Sequence, residues 1–181
     1  MTTSTPADPI RVDWVDLAKV PGLAGSPGRL GMTFLPGKRD HVHHRDLVSD
    51  VHVLRERCGV DSFLLLVEDH ELKSLGVPDI ADVMAAHRIE LLRHPIVDVD
   101  VPTDRVALRQ TLAEIRGRLA NGENVAIACR GGIGRTGTVV GCLLRDAGLD
   151  ATEAIALTRA TRPGTIETAA QERFVETWGQ R

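Results

Sequence analysis

The chain has no tyrosine, and only three phenylalanines and two tryptophans among its 181 residues. A deep aromatic slot is therefore not its means of gripping a ligand. Cysteine is scarce too: Cys58, Cys129 and Cys142 are an odd number with no metal-ligand spacing, which argues against both a disulfide framework and a zinc site. No apolar run reaches membrane-spanning length, and the polar start MTTSTPADP lacks the apolar core of a secretory signal. A cytoplasmic protein without a membrane partner is the expectation. No charge sign dominates either. Lys+Arg number 22 against Asp+Glu 25, a formal net charge of -3, so nothing suggests a nucleic-acid partner. The cations are nearly all arginine, so a local positive site should be built from guanidinium groups. Size and a hydrophobic content of 43% favour one soluble domain with a real core.

Residues 1–24 read as an N-terminal tail and lead-in, partly disordered, with residues 1–9 as the disordered part, and 25–181 as a single domain. MTFLPG fits a short strand ending in a turn at Pro36-Gly37. A helix is expected over 49–59, capped by Ser49 or Asp50 and stopped by Gly59. Strands are expected over 61–67 and 89–98, the latter including its exit loop, with a helix between them starting near Pro78. The longest amphipathic helix falls at 103–122, with Val106, Leu108, Leu112, Ile115 and Leu119 mostly on one face. NVAIAC, 124–129, reads as a central strand, followed by a helix closing at Gly148 and two more at 151–160 and 165–178. Alternating strands and helices imply an α/β fold: a central, mostly parallel sheet of four to five strands flanked by helices. Ligand loops then gather at the C-terminal ends of the strands.

The stretch ACRGGIGRTGT, 128–138, lies at such a place. It leaves a buried strand at Cys129 and enters a helix near Arg135. Gly131, Gly132 and Gly134 let the chain curl with its N–H groups inward, and the helix start adds free donors and the positive dipole end. The outcome is an anion cradle with a thiol at its base, a setting that favours a thiolate. Arg135 can hold two oxygens of a tetrahedral anion in its planar fork, and the Thr136 hydroxyl can donate toward the sulfur. This suits attack by Cys129 on phosphorus, with the amides and Arg135 stabilising the spreading charge. Gly132, Gly134 and Gly137 also spell a dinucleotide fingerprint, but it sits late in the chain with no following strand that carries an acid.

CRGGIGRT, 129–136, resembles the active-site signature of the cysteine-based protein tyrosine phosphatases, including the dual-specificity group. FLPG, ELKSLGV and HPIVDVDVP extend the resemblance to the cyclin-dependent kinase inhibitor 3, or kinase-associated phosphatase, family, over about residues 25 to 178. The resemblance implies a phosphotyrosine protein phosphatase II-like fold and 25–181 as the phosphatase domain. It implies Cys129 as nucleophile, Arg135 as phosphate-binding arginine and Thr136 as the residue that assists thiolate departure. Arg130, Gly131, Gly132, Ile133 and Gly134 would then bind substrate. That family usually has histidine where this chain has Ala128, which implies a weaker or differently tuned enzyme.

A leaving alkoxide or phenolate needs a proton donor, and the candidates are Asp98, Asp100 and Asp104. If extended, the V-D-V-D alternation would put Asp98 and Asp100 on one side. The resemblance favours Asp98, four residues before Pro102, while Asp104 suits a helix cap. Gln171 resembles the glutamine that positions water in tyrosine phosphatases; the plain alternative is a surface residue. Arg162 is expected near the pocket rim, as are Asp69 and His70 after the 61–67 strand. His41, His43 and His44 lack a convincing ligand set and read as a polar loop. We expect a monomer that needs no cofactor and hydrolyses phosphomonoesters on a phosphorylated protein. A phosphoinositide phosphatase and a phosphate-binding pseudophosphatase are the alternatives.

Overall fold

The computed structural model describes residues 8–180. Residues 1–7, the larger part of the expected disordered tail, lie outside the described residues. The element order is β1 (Asp13–Trp14), a 3-10 turn (Leu17–Lys19), β2 (Leu30–Phe34), α1 (Leu47–Glu56), β3 (Ser62–Leu65), α2 (Asp69–Ser74), α3 (Ile80–Ala86), β4 (Glu90–Arg93), α4 (Arg105–Ala120), β5 (Val125–Cys129), α5 (Gly134–Asp146), α6 (Ala151–Thr161) and α7 (Ala169–Glu176). The five strands form one sheet in the order β1-β2-β5-β3-β4. All pairs are parallel except β1 with β2. A mostly parallel sheet flanked by helices is thus what the α/β reading anticipated.

β5 runs up the middle because Val-Ala-Ile-Ala-Cys is apolar on both faces, and every one of its residues is buried. Its end is pinned on both sides: Phe34 of β2 stands opposite Cys129, and Leu65 of β3 opposite Ala128. α5 follows as a helix buried continuously from Gly134 to Leu144. Its glycines serve close packing. A Cβ on Gly137 would come within 2.8 Å of the Ile166 backbone nitrogen, and one on Gly141 within 3.0 Å of Val175. So α5 can press against the 165–167 segment and α7.

Three local readings need correction. α1 starts at Leu47, capped by Asp46, whose side chain accepts from Ser49 N–H; a cap one turn upstream wins over Ser49 and Asp50. In α4, Leu108, Leu112, Ile115 and Leu119 are buried, but Val106 is 67% exposed, because at 3.6 residues per turn it lies about half a turn from Leu108 and Ile115. The lead-in is also more ordered in contact than its composition suggests: β1 pairs with β2, and Ile10, Val15, Val20 and Leu23 are buried. Among the described residues no helix is long and apolar enough to cross a membrane.

Candidate active site

The loop 130–133 joins the C-terminal end of β5 to the N-terminus of α5. Cys129 is 3% exposed at its base. One glycine is required for its backbone: Gly132 has φ of +71°, and a Cβ there would sit 2.2 Å from the Thr33 carbonyl oxygen. The carbonyls of the loop are held on its outer side. Arg130 O accepts from Leu35 N–H and from the Lys38 ammonium, both at 3.4 Å. Gly131 O accepts from Arg162 Nη2 at 3.1 Å, and Ile133 O from Gly137 N–H and Ile166 N–H. The amides of Gly131, Gly132, Ile133, Gly134, Arg135 and Thr136 have no protein acceptor among the described residues. An array of unengaged N–H groups at a helix start is an anion-binding arrangement.

Arg135 lies in the first turn of α5 and is 2% exposed. Glu71 of α2 grips it from both oxygens, at 2.6 and 2.9 Å, and the Ile96 carbonyl accepts from Nη1 at 3.0 Å. Asp98 Oδ1 forms an ion pair with Nη2 at 2.8 Å. Burial by itself pushes the Arg135 guanidinium down, but the Glu71 hydrogen bonds and the charge of Cys129 reverse this, so the net shift is upward. For Glu71, burial pushes the carboxyl up and Arg135 more than cancels it, so the group ends below the ordinary glutamate value. The pair fixes the fork beneath the loop.

The segment after β4 brings Asp98 to this arginine by a turn, not by an extended run. Asp100 N–H donates to Val97 O at 3.1 Å, and Val99 has φ of +64°. The expected V-D-V-D alternation therefore does not form. The Asp98 and Asp100 carboxylates each accept from the next backbone amide, Val99 N–H and Val101 N–H. Asp104 caps α4, accepting from Val106 and Ala107 N–H at 2.9 Å each. Positive φ at a β-branched residue is an outlier, and Ile166, behind Ile133, is a second one at +59°. Such strain concentrates where a site is over-determined.

Gln171 is fully buried, which excludes the surface reading. Its Oε1 accepts from Glu167 and Thr168 N–H, and its Nε2 donates to Asp100 O at 3.3 Å, tying the start of α7 to the Asp98 segment. The Thr136 hydroxyl is buried with no hydrogen-bond partner among the described residues. The Arg130 side chain is half-exposed, 3.7 Å from Asp40. Arg162 is anchored by Asp13 of β1 and sits behind the loop rather than on the rim. Asp69 pairs with Arg93 on the surface, while the residue two positions on, Glu71, faces the site. Sequence reasoning missed Glu71 because it also completes a capping box with Glu68, and an exposed cap has the same local pattern. It missed Lys38 for want of any local signal. The imidazole of His43 is on Asp40 Oδ1 at 3.0 Å.

The family model described as Swiss Army Knife protein, DSP-PTPase phosphatase domain, matches residues 36–175. Cyclin-dependent kinase inhibitor 3 of Sus scrofa is 29% identical over 136 residues, 75% of this chain, and the Homo sapiens protein matches with the same values. The chain spans 61% of the length of these curated relatives. Among solved structures, kinase associated phosphatase with its catalytic-site cysteine replaced by serine has a TM-score of 0.86 at 27% identity, covering 94% of each chain. Tk-PTP in the active form has a TM-score of 0.68 at 31% identity, covering 85% of this chain and 93% of its own. PTPMT1 in complex with PI(5)P has a TM-score of 0.67 at 19% identity, covering 82% and 88%, a likeness of fold.

Proposed function

The chain belongs to the DSP-PTPase phosphatase family, and from that premise we propose that it hydrolyses phosphomonoesters on proteins through a phosphocysteine intermediate. The observation that carries this reading is the run of amides from Gly131 to Thr136 with no protein acceptor among the described residues, following Cys129 and including Arg135. In the first step Cys129 Sγ attacks phosphorus. The S–P bond forms, the ester P–O bond breaks, and the Asp98 carboxyl gives its proton to the leaving oxygen. The three remaining oxygens rest on the amides and on Arg135. In the second step Asp98 takes a proton from water as that water attacks phosphorus. The S–P bond breaks and phosphate leaves, and Thr136, whose hydroxyl has no partner among the described residues, donates to the departing sulfur. Arg130, Gly131, Gly132, Ile133 and Gly134 line the substrate phosphate.

Arg135 has to change partners in this scheme. Glu71 and Ile96 O take both Nη1 hydrogens and one Nη2 hydrogen, and Asp98 is ion-paired with the same Nη2. A phosphate held by Nε and Nη2 displaces the Asp98 carboxylate, which takes up a proton from solvent and then lies beside the leaving oxygen as the acid. Gln171, through Asp100 O, keeps that segment over the loop and orients the attacking water.

A protein substrate is favoured by the mouth of the site. Its additional exposed cation, Arg130, is already opposed by Asp40, a poor arrangement for a polyphosphorylated headgroup. Exposed Val97 and Val99 flank Asp98, offering aliphatic contact to the side chain that bears the phosphate. The test is phosphate release from phosphotyrosine and phosphoserine peptides and from phosphoinositide vesicles, with Cys129→Ser as control. Release from a peptide that vanishes in the variant supports the reading. Preference for the vesicles overturns the substrate class, and binding without turnover makes the protein a phosphate reader.

A further inference from the structure

Three lysines occur in the chain, Lys19, Lys38 and Lys73, and Lys38 is the buried one, at 6% exposure. It follows the turn after β2, the strand whose Phe34 stands opposite Cys129. Its ammonium lies 4.9 Å from the centroid of the Phe34 ring and donates to the Arg130 carbonyl at 3.4 Å. That carbonyl belongs to the same peptide as the Gly131 N–H. With no cis peptide among the described residues, the N–H points away from Lys38, toward the side where an anion would sit. The ionisable groups whose fields act on the ammonium are Asp40 on its own segment, Arg45 before α1, and Arg130 and Cys129 of the cradle. Cys129 in turn faces Arg135, which Glu71 and Asp98 hold.

A cation in this position has little contact with solvent, so it cannot reach out to a second substrate group. Burial pushes Lys38 below the ordinary lysine range, with Arg130 and Arg45 adding to the effect and Asp40 and Cys129 opposing it. An uncompensated buried ammonium is costly to keep. A structural strut in the same place would serve better as methionine. We infer that Lys38 is a positioning residue for the nucleophile. Its charge acts from behind the loop, stabilising the ionised sulfur of Cys129 and strengthening the Gly131 amide as a donor. Opposite charge at close range favours the charged form of its partner, and a cation on a carbonyl polarises the whole peptide.

This inference rests on Cys129 being the nucleophile, and the experiment separates the two. Lys38→Met removes charge and hydrogen bond, Lys38→Gln removes charge but keeps a donor, and Lys38→Arg keeps charge. The readouts are the pH dependence of Cys129 alkylation by iodoacetamide, followed by mass spectrometry in substrate-free protein, and the pH profile of kcat/KM on an aryl phosphate. In the Met and Gln variants the alkylation midpoint should rise by about one pH unit. On the acid limb kcat/KM should fall about tenfold, while the Arg variant stays near the unsubstituted protein. Should Lys38→Met not fold, Lys38→Gln decides. Midpoints unchanged in the charge-free variants, or restored by glutamine alone, overturn the inference. If the unsubstituted protein turns over no phosphate ester while its alkylation still depends on Lys38, the phosphatase reading fails and the inference stands.

Discussion

Two segments meet at Arg135, and they are held in opposite ways. The 129–136 loop is packed from outside: two cationic side chains and three backbone amides fasten its carbonyls, and α5 behind it is buried through Leu144. The 97–101 segment exposes Val97 and Val99, and it reaches the site mainly through the Asp98 ion pair and the Gln171 bond to Asp100 O. The difference teaches a division of labour. The amides of the proposed phosphate grip are built into the fold, and admitting the anion asks only that Arg135 exchange the Asp98 carboxylate for it. The proposed proton donor, Asp98, rides on a lightly fastened segment that can part from Arg135 to admit substrate.

Substitutions in each segment sharpen this contrast. The largest effect belongs to Asp98→Asn, which should lower kcat/KM for an alkyl phosphate by about 10²–10⁴-fold and leave kcat/KM for an activated aryl phosphate nearly unaffected, as steady-state kinetics on both will show. Equal losses on the two substrates would mean that Asp98 supports the fold of the site and donates no proton. Gly132→Ala should be next. It forces a Cβ against the Thr33 carbonyl, and a displacement of the loop by an ångström costs about 10²-fold in rate; vanadate affinity measured by titration should fall with it.

Glu71→Gln tests the rigid side without touching the substrate. Leaving Arg135 without its partner charge should cost about 3–5 kcal/mol of stability in a denaturant titration. The pH dependence has a defined sign. Glu71 sits below its ordinary value of 4.5 in the folded chain, so its contribution is complete above that value. It is lost as the pH falls from there through the folded value. The acid branch of the stability curve should be flatter in the Gln variant. The smallest effect is expected for Val99→Gly on the lightly fastened side. Relief of about 1 kcal/mol of backbone strain is offset by the about 0.5–1 kcal/mol that glycine costs in entropy, so the melting temperature should hardly move while kcat drops a fewfold.

The same contrast explains what could be read in advance. β5, the loop and α5 are continuous in sequence, and their apolar run, glycines and Arg135 carry their own geometry. The choice of Asp98 over Asp100 was legible only as a resemblance. The turn at Val99 was not, since a β-branched residue at positive φ contradicts its own propensity. Glu71, Lys38 and Arg162 lie 58, 91 and 33 positions from Cys129 by numbering; sheet pairing brings the first two near, and the packing of α6 on α5 brings the third. Nothing local to ELK, PGK or TRP separates a buried partner from a surface charge. β1 was missed for a related reason: two residues are too short for a periodic signal, and the antiparallel pairing with β2 holds them.

The most direct measurement is rapid acid quenching of the protein during turnover of a phosphotyrosine peptide, with the phosphorylated site located by mass spectrometry. The account predicts one transient phosphoryl group on Cys129 that forms as fast as tyrosine is released and is absent in Cys129→Ser. Phosphate release undiminished in that variant, or a phosphoryl group trapped on any other residue, would contradict it.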